Sequence, residues 1–328
     1  MPGPTRVALA LGGGGARGYA HIGVIEVLEE QGYEITGIAG TSMGAVIGGL
    51  HAAGRLDAYT AWVRSLTQRD VLRLLDPVLR GPGAIRGDKI LARVSDLLEG
   101  AVIEELAVPF TAVATDLLAG KEVWFQQGPV DAAIRASIAL PSFITPVVLN
   151  GRLLADGGLL NPVPVVATAA ASADVTVAVS LSEDTTTDAG PTPVLASSQP
   201  GPDDSTEDTR LRTAQILDRE LVRAVSSWFG AGRDQMAAEP GEQAADQVDE
   251  ELFGTLPPGL RTLDVMQLSL EALQRVVTRY RLAGYPPDLL ITIPKASCRT
   301  LDFHRAEEMI ALGRERAHEA LGRLPSSS

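Results

Sequence analysis

Between Val7 and about Leu181, short apolar runs alternate with longer stretches in which apolar residues recur every three or four positions. A short, continuous, β-branched run suits a strand buried on both faces, whereas the longer period suits a helix with one buried stripe. Val7 to Leu11, Ile35 to Ala39, Phe110 to Thr115 and Val175 to Val179 are the predicted strands. His21 to Gln31 is a predicted helix, with Ile22, Ile25 and Leu28 at helical spacing and Gly32 as its stop. Ala45 to Ala53 is small and apolar enough for a buried helix that Gly54 closes. This alternation predicts an α/β domain: a mostly parallel central sheet with helices on both faces.

After Leu181 the pattern breaks, and Ser, Thr, Asp, Pro and Gly dominate up to Asp208, the composition of a linker or surface loop. Leu211 to Phe229 then places Leu211, Ala214, Leu217, Leu221, Val225 and Trp228 at helical spacing. That amphipathic helix either packs on the body as an ordinary surface helix or serves as a lid that docks on lipid, with Arg212, Arg219 and Arg223 as its basic flank. Helical periodicity returns from Thr262 to about Leu282, Leu289 to Ile293 is a buried-strand pattern before Pro294, and a last helix runs from about Phe303 to Leu321. The expected organisation is a core over residues 1–181, an acidic and partly disordered insertion over 182–260, and a helix–strand–helix unit over 261–328. One strand and two helices make a poor core alone, so the last unit is expected to complete the first.

Composition narrows the partners. Of the formal net charge of −13, the window from Ser182 to Leu260 carries −11, so the rest of the chain is almost neutral. Neither part offers the basic surface that nucleic acid requires. The single cysteine, Cys298, excludes an internal disulfide framework and a multi-cysteine metal site. It fits a reducing, cytoplasmic compartment and is expected to be a small buried hydrophobe. The apolar run at Val7 is too short for a signal-peptide core, and no stretch reaches the roughly 18 apolar residues of a membrane span, so lipid would be met peripherally.

The sharpest chemical signal is Gly40-Thr41-Ser42-Met43-Gly44, a GxSxG match directly after one predicted strand and directly before a predicted helix. So tight a turn strains the serine backbone and projects its hydroxyl beside a helix N-terminus, where developing negative charge is favoured. A second block, Gly12-Gly13-Gly14-Gly15-Ala16-Arg17-Gly18, also lies between strand and helix. Gly13, Gly15 and Gly18 satisfy the dinucleotide spacing, but the second strand ends in Ala39-Gly40 where that fingerprint needs an acid, and Tyr19 stands where a phosphate loop needs lysine. As an oxyanion hole the block makes chemical sense, because unhindered backbone N–H groups can meet the oxygen that becomes negative during acyl transfer. Arg17 either braces the loop or meets a substrate head group.

A serine nucleophile needs a base. His21 and His51 fall inside early helix patterns, His304 and His318 in the last helix, and none stands in the loop where a triad histidine belongs. Asp156-Gly157-Gly158 follows the short strand pattern Leu153-Leu154-Ala155 and precedes Asn161-Pro162-Val163-Pro164. It is either an ordinary Asp-Gly turn or a carboxylate able to act as general base in a dry site.

Three ordered motifs, GGGxRG at Gly13 to Gly18, GxSxG at Gly40 to Gly44 and DGG at Asp156 to Gly158, make the chain resemble the bacterial patatin-like phospholipases. Supporting stretches are Ala20-His21-Ile22-Gly23-Val24, Arg135 to Pro141 leading to Pro162 to Val165, Asp288 to Pro294, and Asp302-Phe303. The resemblance covers about residues 6–181 and 262–322 and implies a three-layer α/β sandwich. It implies Ser42 as nucleophile, Asp156 as base and the Gly13, Gly14 and Gly15 amides as oxyanion hole. Arg17, Gly18, Gly40, Gly44, Gly157 and Gly158 would support them, without metal, cofactor or histidine base. The implied activity is hydrolysis of phospholipid or lysophospholipid esters. Alternatives are a short-chain carboxylesterase or thioesterase, and a catalytically silent lipid-binding protein. The acidic window departs from the compact members and leaves substrate preference and oligomeric state open. Replacing His304 is expected to leave ester turnover largely unchanged in a folded variant; collapse of the rate would call for a triad instead.

Overall fold

The computed structural model describes residues 3–75, 83–85, 87–183 and 262–323. The chain runs through β1 (Arg6–Leu11), α1 (Ala20–Glu30), β2 (Glu34–Thr41), α2 (Met43–Ala52), α3 (Leu56–Arg64) and α4 (Gln68–Leu75). It continues through β3 (Gly83–Ile85), α5 (Asp88–Leu98), β4 (Phe110–Asp116), β5 (Lys121–Phe125), α6 (Val130–Ser137), β6 (Ser142–Ile144) and β7 (Val147–Leu149). β8 (Arg152–Asp156), β9 (Val175–Glu183), α7 (Thr262–Gly284), β10 (Leu289–Pro294) and α8 (Ala306–Leu321) follow. The proposed insertion, with its helix and lid alternatives, falls outside the described residues apart from Ser182 and Glu183.

Five strands pair in parallel in the order β10-β9-β1-β2-β4. Strand alternation divides their side chains between two unequal faces. Val7, Leu9, Leu11, Val177, Val179, Ile291 and Ile293 join the main core with α1, α2 and α8. Ala10, Ala39 and Ala178 point the other way and meet Val163, Ala167 and Leu282. Small side chains on this second face let the backbone at 162–168 lie close against the sheet, with α7 beyond it. Helices therefore cover both sides, thickly on one and sparsely on the other.

The helical layer is itself tight. An added Cβ at Gly23 would stand 2.1 Å from the Ile310 carbonyl oxygen, and one at Gly313 would stand 2.0 Å from that of Ala20. Glycine at these two positions is what lets α1 and α8 touch backbone to backbone.

The end of the sheet beyond β4 is antiparallel. β5 returns on β4 after a turn capped by Asp116, whose Oδ1 accepts from the Leu118 and Ala119 N–H groups. β7 and β8 form a hairpin through Asn150 and Gly151, both at positive φ (50° and 74°), the backbone that a two-residue hairpin turn requires. β5 occupies one edge of β4 along Ala112 to Asp116. Both β2 and β8 must therefore use the other edge: β2 pairs there up to Thr41–Val113, and β8 takes over at Asp156–Ala114. Two strands running in opposite directions thus meet nose to nose on neighbouring residues of β4, and the chain leaves β2 at Ser42 as it leaves β8 at Asp156.

Gly313→Ala is expected to lower the unfolding free energy by about 1–3 kcal/mol through overpacking of α1 on α8. Gly284→Ala, where an added Cβ meets nothing within 4 Å, is expected to be neutral. Urea denaturation of both variants checks the contrast.

Candidate active site

Ser42 holds φ 55° and ψ −121°, a backbone that costs an ordinary residue about 1–3 kcal/mol. Its neighbours show why glycine flanks it. An added Cβ on Gly40 would lie 2.3 Å from the Gly44 carbonyl oxygen, and one on Gly44 would lie 2.0 Å from that of Leu11. The turn is clamped sideways as well: Thr41 Oγ1 donates to the Asn161 carbonyl at 2.9 Å, and the Ser42 N–H donates to Ser137 Oγ at 2.9 Å.

Asp156, at the end of β8, is 2% exposed. Its Oδ1 accepts from the Gly158 N–H at 2.7 Å, its N–H donates to the Ala139 carbonyl at 2.9 Å, and its own carbonyl accepts from Thr115 Oγ1 at 3.0 Å. The Ser42 hydroxyl and the Asp156 carboxyl face the same cavity, near enough for the hydroxyl to favour the ionised carboxylate. Burial drives the carboxyl pKa up from 3.8 to about 6, against the opposing pull of the Ser42 and Gly158 hydrogen bonds, which favour the ionised form. Gly157 is pressed on β4 so closely that an added Cβ would stand 2.2 Å from the Val113 carbonyl oxygen.

The glycine block lies against this pair, and an added Cβ on Gly13 would sit 3.1 Å from Ser42 Cβ. The three amides expected to form the oxyanion hole differ in their hydrogen bonding. The Gly13 N–H is donated to the Pro162 carbonyl at 3.0 Å and is not available to a substrate. Among the described residues the Gly14 and Gly15 N–H groups have no such acceptor. The loop is held from beneath by His21, which is completely buried and whose Nε2 stands 2.8 Å from the Gly12 carbonyl oxygen. That acceptor requires Nε2 to carry the proton, and burial lowers the imidazole pKa to about 4. Arg17 braces the loop on its outer side, donating Nη1 to the Lys295 and Cys298 carbonyls at 3.2 and 3.3 Å. Gly18 touches the base of α2, where an added Cβ would come within 2.4 Å of Met43 Cβ.

Two cavities meet at Ser42. One is walled by apolar side chains of the chain from α2 to α5 and of the segment after α6, among them Val46, Leu66, Val71, Leu91, Ile138 and Phe143. The other holds Asp156, Gly14, Arg17, Gln274, Arg275 and Lys295. Gln274 of α7 reaches the DGG turn directly, donating to the Gly158 carbonyl at 3.0 Å. Behind it Arg281 pairs with Glu122, which accepts in turn from Asn161 Nδ2 at 2.9 Å. His304 lines neither cavity. Ser137, His21 and Gln274 carry geometry that the sequence did not mark. His21 and Ser137 lay within stretches that carry the family resemblance, but without a role; Gln274 had no such hint.

The chain is similar to several known proteins. A family model described as patatin-like phospholipase matches residues 9–169. An NTE family protein of Mycobacterium tuberculosis is 50% identical over 96% of this chain and 91% of its own length. The human patatin-like phospholipase domain-containing protein 6 is 35% identical over 48% of this chain and 12% of its own. Among solved structures, VipD from Legionella pneumophila aligns over 98% of this chain and 67% of its own at 14% identity, with a TM-score of 0.42.

A carboxyl whose folded pKa is raised binds its proton more tightly in the native state, so stability is full below the unfolded value and is lost as pH rises through about 6. Asp156→Asn cannot ionise, and it is expected to be more stable than the parent at pH 8 by about 1–3 kcal/mol, with most of that advantage gone at pH 4. Urea unfolding at the two pH values measures it; equal differences at both would contradict the burial.

Proposed function

Because the chain belongs to the patatin-like phospholipase family and so is a lipid hydrolase acting on carboxylic esters, we propose that it works through a covalent acyl-enzyme on Ser42 with Asp156 as its base. Ser42 Oγ attacks the ester carbonyl carbon while its proton passes to the Asp156 carboxylate. The carbonyl oxygen becomes negative and is held by the Gly14 and Gly15 N–H groups, beside the N-terminus of α2. Collapse of the tetrahedral species breaks the bond to the leaving oxygen, which takes the proton back from Asp156. Water then enters, gives its proton to Asp156 and its oxygen to the acyl carbon, and the second collapse returns that proton to Ser42.

The observation that carries this reading is that Ser42 and the buried Asp156 face one cavity, where burial raises the carboxyl pKa to about 6 and the nearby hydroxyl favours its ionised form. Such a group is ionised at neutral pH, yet basic enough to take a proton in the transition state. Gly13 contributes by lacking a side chain where the loop nears Ser42, and Arg17 by fixing the loop.

The two cavities support a substrate with one acyl chain and a polar leaving group. The apolar cavity suits the chain; the other, lined by Arg17, Arg275 and the Lys295–Glu271 pair, suits a polar head group such as that of a phospholipid or lysophospholipid. Val265, Leu273, Val276 and Tyr280 are exposed along one side of α7, while Leu270, Gln274 and Thr278 on the other side line the cleft. That apolar stripe supports peripheral contact with a lipid surface. No helix among the described residues is long and apolar enough to cross a membrane.

Ser42→Ala and Asp156→Asn are each expected to cut kcat by about a thousandfold or more while folding normally. For the parent, kcat/KM is expected to fall tenfold per pH unit below about 6, as Asp156 gains its proton and stops acting as a base. Near-normal turnover in either variant, or a rate flat from pH 7 to pH 5, would contradict the mechanism.

A further inference from the structure

The Ser42 N–H belongs neither to the β2 ladder, whose pairing with β4 ends at Thr41, nor to α2, where the residue preceding the helix has no intrahelical acceptor. A buried N–H left alone costs about 1–3 kcal/mol. It is met by Ser137, the last residue of α6, which is completely buried and whose Oγ accepts from Ser42 N–H at 2.9 Å while donating to the Val113 carbonyl at 2.6 Å. Giving its own proton to Val113 makes Oγ a stronger acceptor for Ser42. Val113 is also the residue of β4 that faces Thr41 in register and carries the carbonyl against which Gly157 is pressed. Two residues after Ser137, the Ala139 carbonyl accepts the Asp156 N–H at 2.9 Å. The same short segment therefore holds the backbone N–H of both residues to which the preceding mechanism assigns chemistry.

We propose that this end of α6 is the positioning clamp of the active site: Ser137 fixes the elbow, Ala139 fixes the carboxylate strand, and the span between them sets the hydroxyl against the carboxyl. The pairing of β2 and β8 with β4 brings the two residues to neighbouring register positions but leaves the rotation of the Ser42 peptide free. The Ser137 hydroxyl removes that freedom. Ser137 acts through Ser42 and is a positioning residue. The segment continues into Ile138, Leu140 and Phe143, which wall the apolar cavity, so a change here could also act through chain binding. The two effects separate kinetically. Loss of positioning slows every substrate by one factor at unchanged KM, whereas a damaged cavity wall changes KM and does so according to chain length.

The proposal rests on the acyl-enzyme reading, and the test distinguishes the two. Full-length parent, Ser137→Ala, Ser137→Thr and Ser137→Cys are compared for labelling of Ser42 by a small fluorophosphonate and for hydrolysis of short- and long-chain p-nitrophenyl esters. Ser137→Ala is expected to lower kcat and the labelling rate by about 30- to 100-fold, equally for both esters and with little change in KM. Ser137→Thr, which keeps the hydroxyl, restores most of the rate. Ser137→Cys keeps the volume but weakens the acceptor; it is expected to be slow, and decides the matter should the alanine variant not fold. A folded alanine or cysteine variant with kcat within about threefold of the parent overturns the clamp, as does a loss that follows chain length. A parent that is never labelled at Ser42 overturns the acyl-enzyme reading and the clamp with it.

Discussion

One edge of a single strand is the constraint on which the site depends. β4 offers its edge first to β2 and then to β8, and the changeover falls between Val113 and Ala114. Because the two strands arrive from opposite directions, each must turn away at the same place. The turn out of β2 is the strained elbow at Ser42 and the turn out of β8 is the DGG segment. A hydroxyl and a carboxylate separated by more than a hundred residues in sequence are thus neighbours by register.

Placing an acid there has an energetic consequence. Asp156 is buried among backbone, so its ionised form is disfavoured, and the native state loses stability as pH rises through about 6. His21 acts in the opposite sense. Its folded pKa of about 4 lies below the ordinary 6.5, so the native state loses stability as pH falls through that window. The two overlap between about pH 4 and 6 and there offset one another. Both groups are held where backbone needs them: His21 under the glycine loop, Asp156 beneath the elbow. The glycines serve the same end, since Gly40, Gly44 and Gly157 each stand where a methyl group would strike a carbonyl oxygen.

Much of this was legible in the sequence because it is local. The runs at Val7, Ile35, Phe110, Val175 and Leu289 became the five parallel strands, each lengthened by a residue or more once pairing fixed its ends. GxSxG announced the elbow through strand–turn–helix context alone. The antiparallel end was less visible, although Asn150-Gly151 is a strong hairpin signal. The half-exposed strands around it lack the continuous apolar run that marks the buried ones. The stretch around Ser137 was noticed, but its contacts were not legible: they span 95 and 24 residues, and nothing in an Arg-Ala-Ser-Ile sequence shows which N–H the hydroxyl will meet. The three glycine amides read alike in sequence, and only the Pro162 carbonyl tells Gly13 from the other two.

The account turns on whether Asp156 is a dry carboxyl in contact with the Ser42 hydroxyl, and titration of that carboxyl by carbon-13 NMR, in the parent and in Ser42→Ala, asks this without reference to any substrate. Contact with the hydroxyl favours the ionised form, so the midpoint is predicted near 6 in the parent and higher once the hydroxyl is removed. A midpoint near 3.8, or one that does not move in Ser42→Ala, would contradict it.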